Sequence, residues 1–187
     1  MAMPEPAATG IRPATLSDAE TLGAISGRAY ETTYRGMLPD AVLDEWIAGA
    51  PAMWHRALDA SDPASPSRLW VGERDGVVLG YATTSPAKDE WLPPPDGAGE
   101  LTNLYLDPPA VGTGLGRGLY EHAVADLRAR GFNPLVVWAF RDNELARRFY
   151  QKMGLAIDVA DQVWVLGGVP CPIVRFRLDW SASDERG

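Results

Sequence analysis

The sequence predicts one mixed α/β domain, and three observations carry that expectation. The chain has 187 residues, enough for one substantial core and too few for two. Apolar residues recur at helical spacing in some stretches and form short runs between turn signals in others. The elements then alternate: strand, two or three helices, three strands, helix, strand, helix, two strands, with no internal repeat or low-complexity linker.

Residues 11–13, Ile11-Arg12-Pro13, read as a short extended start. Ser17 and Glu20 have the spacing of a capping box, and Leu22, Ile25, Ala29 and Tyr30 follow at helical spacing. The pattern breaks over residues 34–38. A second helix starts near Pro39-Asp40 and buries Leu43, Trp46 and Ile47, and a further short helix covers residues 53–58. Residues 69–73 and 77–84 flank Arg74-Asp75-Gly76, a hairpin signal. Residues 86–99, with Pro93-Pro94-Pro95 and Asp96-Gly97, form a loop, and residues 100–106 a strand. After the Pro/Gly loop at 108–114, a helix runs to about Arg130 with Leu119, Ala123 and Leu127 on one face. The apolar run at 135–140 predicts a strand buried on both faces. Asp142 or Asn143 caps a helix carrying Leu145, Ala146, Phe149, Tyr150 and Met153 on one side, and Gly154 ends it. Residues 163–166 and 173–178 form a last pair across Gly167-Gly168. The domain is expected over residues 11–180, between flexible tails at 1–10 and 181–187.

Composition excludes several function classes. The net charge of -8 is the wrong sign for a general phosphate-backbone binder, so no nucleic-acid partner is expected. It favours cationic or neutral partners. No apolar run approaches the roughly 18 residues of a spanning helix, and the N-terminus lacks a signal-peptide pattern; a cytoplasmic protein without a membrane partner is expected. Cys171 is the only cysteine, and the two histidines, His55 and His122, lie far apart, so neither an internal disulfide nor a metal site is expected.

The segment Val111-Gly112-Thr113-Gly114-Leu115-Gly116-Arg117-Gly118 lies between a strand and a helix. Glycines let backbone approach a ligand closely, and the N–H groups of a helix N-terminus suit a pyrophosphate. A mononucleotide P-loop would need Lys followed by Ser or Thr where Arg117-Gly118 stands, and the glycine spacing does not fit a dinucleotide fingerprint. On residues alone, a ligand-free connector and a phosphate cradle both stay open.

With that loop, residues 101–132 resemble the acyl-CoA-binding motif of the GCN5-related N-acetyltransferase (GNAT) superfamily, whose Q/R-x-x-G-x-G/A loop appears here as Val111-x-x-Gly114-x-Gly116. Val111 departs from the usual Gln or Arg. A second match follows: strand 135–140, then Asn143, Ala146, Phe149-Tyr150 and Gly154-Leu155, similar to the family's N-x-x-A-x-x-x-Y-x-x-x-G-F with Leu155 for Phe. Arg12 and the first helix resemble the family's opening segment. The resemblance spans residues 11–155. It implies a mixed, mostly antiparallel sheet of about seven strands, its central pair splayed, flanked by about four helices.

The resemblance further implies acetyl-CoA as cosubstrate, with no metal. The pantetheine arm would pair with the backbone of Leu104, Tyr105 and Leu106, and the Leu104 N–H would polarise the thioester carbonyl. The pyrophosphate would lie on Val111, Gly112, Thr113, Gly114, Leu115, Gly116 and Arg117, with Asn143 and Ala146 near the CoA arm. Tyr150 would protonate the leaving thiolate, where its residue-level alternative is packing beside Phe149 and Met153. Glu100 would be the general base, directly or through water, where its alternative is a solvated carboxylate at the strand start. Alternation places Glu100, Thr102 and Leu104 on one face. Tyr30, Glu31, Tyr34 and Trp138 are candidates for the acceptor site, with Trp46, Asp89, Glu90 and Trp91 as weaker ones. The expected reaction is direct transfer to a primary amine, either a small cationic molecule or a protein N-terminus, in a ternary complex. Cys171 lies outside both motifs, so no acyl-enzyme is expected. The rivals are another acyl-CoA donor and a CoA-binding module without turnover. The last strand pair can also pair between subunits, which leaves a homodimer open.

Overall fold

The computed structural model describes residues 9–60, 62, 64–88 and 92–180. The expected tails therefore lie outside the described residues, except that Thr9 and Gly10 already belong to the first strand. In chain order the elements are β1 (Thr9–Pro13), α1 (Ala19–Tyr34), α2 (Asp40–Asp59), β2 (Arg68–Arg74), β3 (Val77–Pro86), β4 (Gly99–Leu106), α3 (Leu115–Ala129), β5 (Leu135–Phe140), α4 (Glu144–Lys152), β6 (Ala156–Leu166) and β7 (Val169–Leu178). Seven strands form one sheet in the order β1-β2-β3-β4-β5-β7-β6, antiparallel throughout except between β4 and β5.

Helices cover both faces. On one face α3 and α4 pack Leu119, Ala123, Leu127 and Tyr150 against Leu101, Val137, Val174 and Phe176. On the other, α1 and α2 pack Leu22, Ile25, Trp54 and Leu58 against Val71 and Tyr81. A third cluster gathers Tyr34, Leu38 and Leu43 with Phe140, Leu166 and Ile173, at the turn between α1 and α2. No helix among the described residues is long and apolar enough to cross a membrane.

Four local expectations are corrected. The capping box is formed by Thr15 and Asp18, two residues earlier than Ser17 and Glu20: the Asp18 carboxylate accepts from the Thr15 N–H (2.8 Å) and hydroxyl (3.0 Å). Arg12 decides between the two registers, because its guanidinium meets both oxygens of Asp18 at 2.8 and 2.9 Å. The second and third expected helices are one, α2, which runs through Pro51. Gly23 of α1 makes this possible, since a Cβ there would come within 2.6 Å of the Pro51 Cα. The β6–β7 hairpin is longer than expected, beginning at Ala156 and turning at Gly167 and Gly168, both at positive φ. Finally, β4 carries a bulge at Thr102: Asn103 pairs with Thr83 and Leu101 with Thr84, so Thr102 has no partner of its own. Leu101 and Leu104 consequently both pack on the α3/α4 side, and Glu100 does not share a face with Leu104.

Candidate active site

The sheet opens at its centre. Strands β4 and β5 are parallel neighbours, yet only Gly99 with Leu135 and Glu100 with Val136 are in register. Beyond that point β4 continues to pair with β3, and β5 with β7, while their facing edges diverge. The backbone groups of residues 101–106 on that edge face a wedge instead of a strand. An unpaired strand edge with polar backbone groups is a template for one more extended chain, which a pantetheine arm with its two amides can supply. Leu104, Tyr105 and Leu106 lie on β4 beyond its last register pair with β5.

At the mouth stands the N-terminus of α3. Gly112 and Gly114 have φ of 81° and 92°, and Gly114 is the helix cap. The left-handed conformation at Gly114 turns the chain abruptly from loop into helix, a conformation that is strained for residues with a Cβ. The Gly118 N–H is bonded to the Gly114 carbonyl (3.1 Å), so the N–H groups of Leu115, Gly116 and Arg117 precede the helical ladder and have no carbonyl one turn back. Gly116 lies against Leu106, where a Cβ would come within 3.1 Å of a leucine methyl, so helix and strand edge are in close contact. The Thr113 hydroxyl is spent on the Ala110 carbonyl (2.7 Å) and holds the loop's shape. Val111 is exposed, and Arg117 pairs along the helix with Glu121 (2.7 Å). The cradle is therefore made of main chain, with the helix dipole behind it, and these groups suit a pyrophosphate.

Tyr150 and Asn143 come from the second motif. Asn143 is buried and caps α4, its side-chain oxygen accepting from the Ala146 N–H at 3.0 Å. It takes the capping role left open between it and Asp142. Tyr150, one helical turn on from Ala146, is buried with its ring 5.4 Å from both Phe149 and Phe176. Burial pushes its hydroxyl well above the ordinary phenol pKa, with smaller contributions from Tyr34 and Tyr120. Packing and chemistry coincide here: the surroundings that make Tyr150 a core residue also keep its proton on.

The opposite face of the wedge is aromatic. Tyr105 points to the α1/α2 side, with the Tyr30 ring at 5.1 Å, and its hydroxyl shares a 2.7 Å hydrogen bond with that of Tyr34. Tyr34 also meets Phe140 of β5 at 5.4 Å. Trp46 of α2 extends the group, 6.2 Å from Tyr30 and 5.5 Å from Trp164 of β6. Trp138 lies on the same face, with the Arg175 guanidinium 5.6 Å from its ring centre; Arg175 is buried and held by both oxygens of Asp158 at 3.0 and 2.8 Å. Sequence reasoning found Tyr30, Tyr34, Trp46 and Trp138 but missed Phe140, Trp164 and the Arg175–Asp158 pair as their neighbours. Those come from strands far along the chain, and only the register joins them.

Two candidates stand apart from the aromatic group. Glu31 is exposed on α1, bonded to Arg35 (2.6 Å), which pulls its carboxyl below the usual range. It edges an open depression of about 400 Å³ shared with Arg28, Ile47 and Pro108. Glu100 is buried at the closed end of the wedge, where one of its oxygens accepts from the Lys88 N–H at 3.4 Å. Asp89, Glu90 and Trp91 lie outside the described residues.

Comparison with known proteins agrees with this geometry. Residues 30–155 match the model of the acetyltransferase (GNAT) family. Over 95% of its length the chain is 28% identical to the protein named Probable N-acetyltransferase Rv2775 of Mycobacterium tuberculosis, of which it covers 98%. It is 34% identical to the mycothiol acetyltransferase of Thermomonospora curvata over 79% of this chain, but spans only 49% of that longer protein. Among solved structures, the PaiA N-acetyltransferase of Thermoplasma acidophilum in complex with coenzyme A superposes with a TM-score of 0.72 at 19% identity, over 91% of this chain and 99% of that one. The yncA structure from Salmonella typhimurium, with its cofactor acetyl-CoA, gives 0.65 at 22% identity over 94% and 95%. The splayed central strands, the glycine-capped helix at their mouth and the family match over residues 30–155 lead to one conclusion: the chain belongs to the acetyltransferase (GNAT) family.

Proposed function

We propose that this acetyltransferase moves the acetyl group of acetyl-CoA to a primary amine by direct attack within a ternary complex. The observation that carries the reading is the wedge itself, two parallel strands in register at only two positions with a helix N-terminus at the open end. In this reading the pyrophosphate rests on the N–H groups of residues 115–117, and the pantetheine pairs with the β4 edge. The thioester lies near Leu104, whose N–H steadies the developing oxyanion.

Amine attack gives a tetrahedral intermediate, and its collapse breaks the C–S bond. Tyr150 supplies the proton to the departing thiolate, a role its raised pKa suits because it stays protonated across the working range. Glu100 removes the amine's proton. Glu100 and Leu104 pair with Ser85 and Ala82, three residues apart on β3, which corresponds to about 10 Å along the sheet. That separation calls for a water between carboxylate and amine. Tyr30, Tyr34 and Trp138 wall the acceptor side, with Glu31 at its outer rim. A lining of aromatic rings on a chain of net charge -8 favours a small cationic amine over a protein N-terminus.

Calorimetric titration with CoA and acetyl-CoA, followed by thiol release across an amine panel, tests this reading. The panel includes the acceptor of the mycothiol acetyltransferases. Micromolar binding and amine-dependent thiol release are expected. Binding without release for any amine would leave a CoA-binding module, and no binding by the folded protein would end the reading.

A further inference from the structure

Between residues 101–106 of β4 and 137–140 of β5 no backbone pairing sets the spacing of the strands. Tyr34 reaches across that gap on the α1/α2 face. Tyr34, the last residue of α1, is 6% exposed; its hydroxyl is 2.7 Å from that of Tyr105 on β4, and its ring is 5.4 Å from Phe140 on β5. The rest of α1 is anchored to the sheet through Leu22 and Ile25, both fully buried, so Tyr34 is held from a fixed point. The following Met37 and Leu38 N–H groups bond back to the Tyr34 carbonyl at 2.9 and 3.0 Å, which fixes its main chain as α1 ends.

From this placement we infer that Tyr34 is a positioning residue that sets the width of the acyl-CoA wedge, acting through its hydrogen bond to Tyr105 and its ring contact with Phe140. The inference rests on the proposed acetyl-CoA site. An edge that must accept an extended ligand binds best when already held at the ligand's spacing, because the cost of ordering is met before binding. Tyr105 is flanked by the two other residues assigned to the pantetheine, Leu104 and Leu106, so fixing its side chain fixes the strand edge that the ligand reads. The same bond joins the cofactor wedge to the turn between α1 and α2.

A double-mutant cycle on CoA affinity and melting temperature tests it, with Tyr34→Phe, Tyr105→Phe and the double variant. Each single variant leaves one buried hydroxyl without its partner and should lower the melting temperature; removing both should restore most of it, since two apolar edges can pack where two hydroxyls bonded. CoA affinity should behave otherwise. It should fall about three- to tenfold in each single variant, the range for one lost neutral hydrogen bond, and remain as low in the double variant. The KM for acetyl-CoA should rise in step with the lost affinity in all three variants, the double variant included, whereas a merely structural role would let it recover with the melting temperature. Affinity that never falls, or that recovers together with stability in the double variant, would overturn the inference. Failure of the wild type to bind CoA would instead count against the proposed function.

Discussion

The two sides of the wedge are built from different materials. On the side proposed for the cofactor the available groups are main chain: the N–H groups of residues 115–117 at the start of α3 and the open edge of β4. On the side proposed for the acceptor they are side chains, Tyr30 and Tyr34 from α1, Trp46 from α2, Tyr105, Trp138 and Phe140 from the central strands, and Trp164 from β6. Main-chain sites need only a turn, a cap and a splay, each specified within a few residues, and they tolerate a change such as Val111 at an exposed loop position. Side-chain sites depend on which residues the register brings together, so they can vary while the fold persists.

The largest expected effect breaks the main-chain side. Gly114→Glu puts a Cβ at φ 92° and a carboxylate among groups that suit a pyrophosphate. CoA affinity should fall at least about 100-fold by calorimetry, with a modest drop in melting temperature, because a Cβ at φ 92° is strained although it meets open space. A variant that still binds CoA as the wild type does would remove the pyrophosphate from this loop. The next effect separates binding from chemistry. Tyr150→Phe keeps the ring among Phe149 and Phe176, so CoA affinity should hold while kcat drops about 100-fold. Burial raises the Tyr150 pKa, so the wild-type rate should show no falling limb from this phenol up to its ordinary pKa near 10. Equal loss of affinity and rate would make Tyr150 a packing residue only.

What could be read from the sequence follows the same division. The cofactor side was legible because glycine spacing, the strand before it and Asn143 as cap are local signals, and each element formed where expected. The acceptor side was legible only as a list of aromatic residues. The sequence suggests two helices where one continues through Pro51, because Gly23 of the neighbouring helix lets it pack closely there. The face of Glu100 was misplaced because alternation assumes an unbroken strand, and a single extra residue at Thr102 reverses everything beyond it. Neither correction is written in the local sequence. Both are decided by a partner element distant in the chain.

A third region serves neither ligand and sharpens the comparison as a control. Asp18 is 6% exposed and accepts from Arg12 at 2.8 and 2.9 Å and from the Thr15 N–H at 2.8 Å. The Arg12 hydrogen bonds, working against burial, hold its carboxyl at about 2, below its ordinary value of 3.8. A carboxylate whose pKa is depressed on folding stabilises the folded state fully above its unfolded pKa. That share is lost as pH falls through the folded value, so the window here runs from about 4 down to about 2. Asp18→Asn keeps the size and an oxygen for the Thr15 N–H but gives up the charge. It should cost about 2 kcal/mol at neutral pH, roughly 4–8 °C in melting temperature for a chain of this length, and it should flatten the acid limb of stability between those values. CoA affinity and kcat should not change, because the pair joins β1 to the start of α1 on strands remote from the wedge. If CoA affinity fell with stability in this variant, the weaker binding expected of the tyrosine variants could no longer be assigned to the wedge, and the contrast between its two sides would reduce to general loosening of the fold.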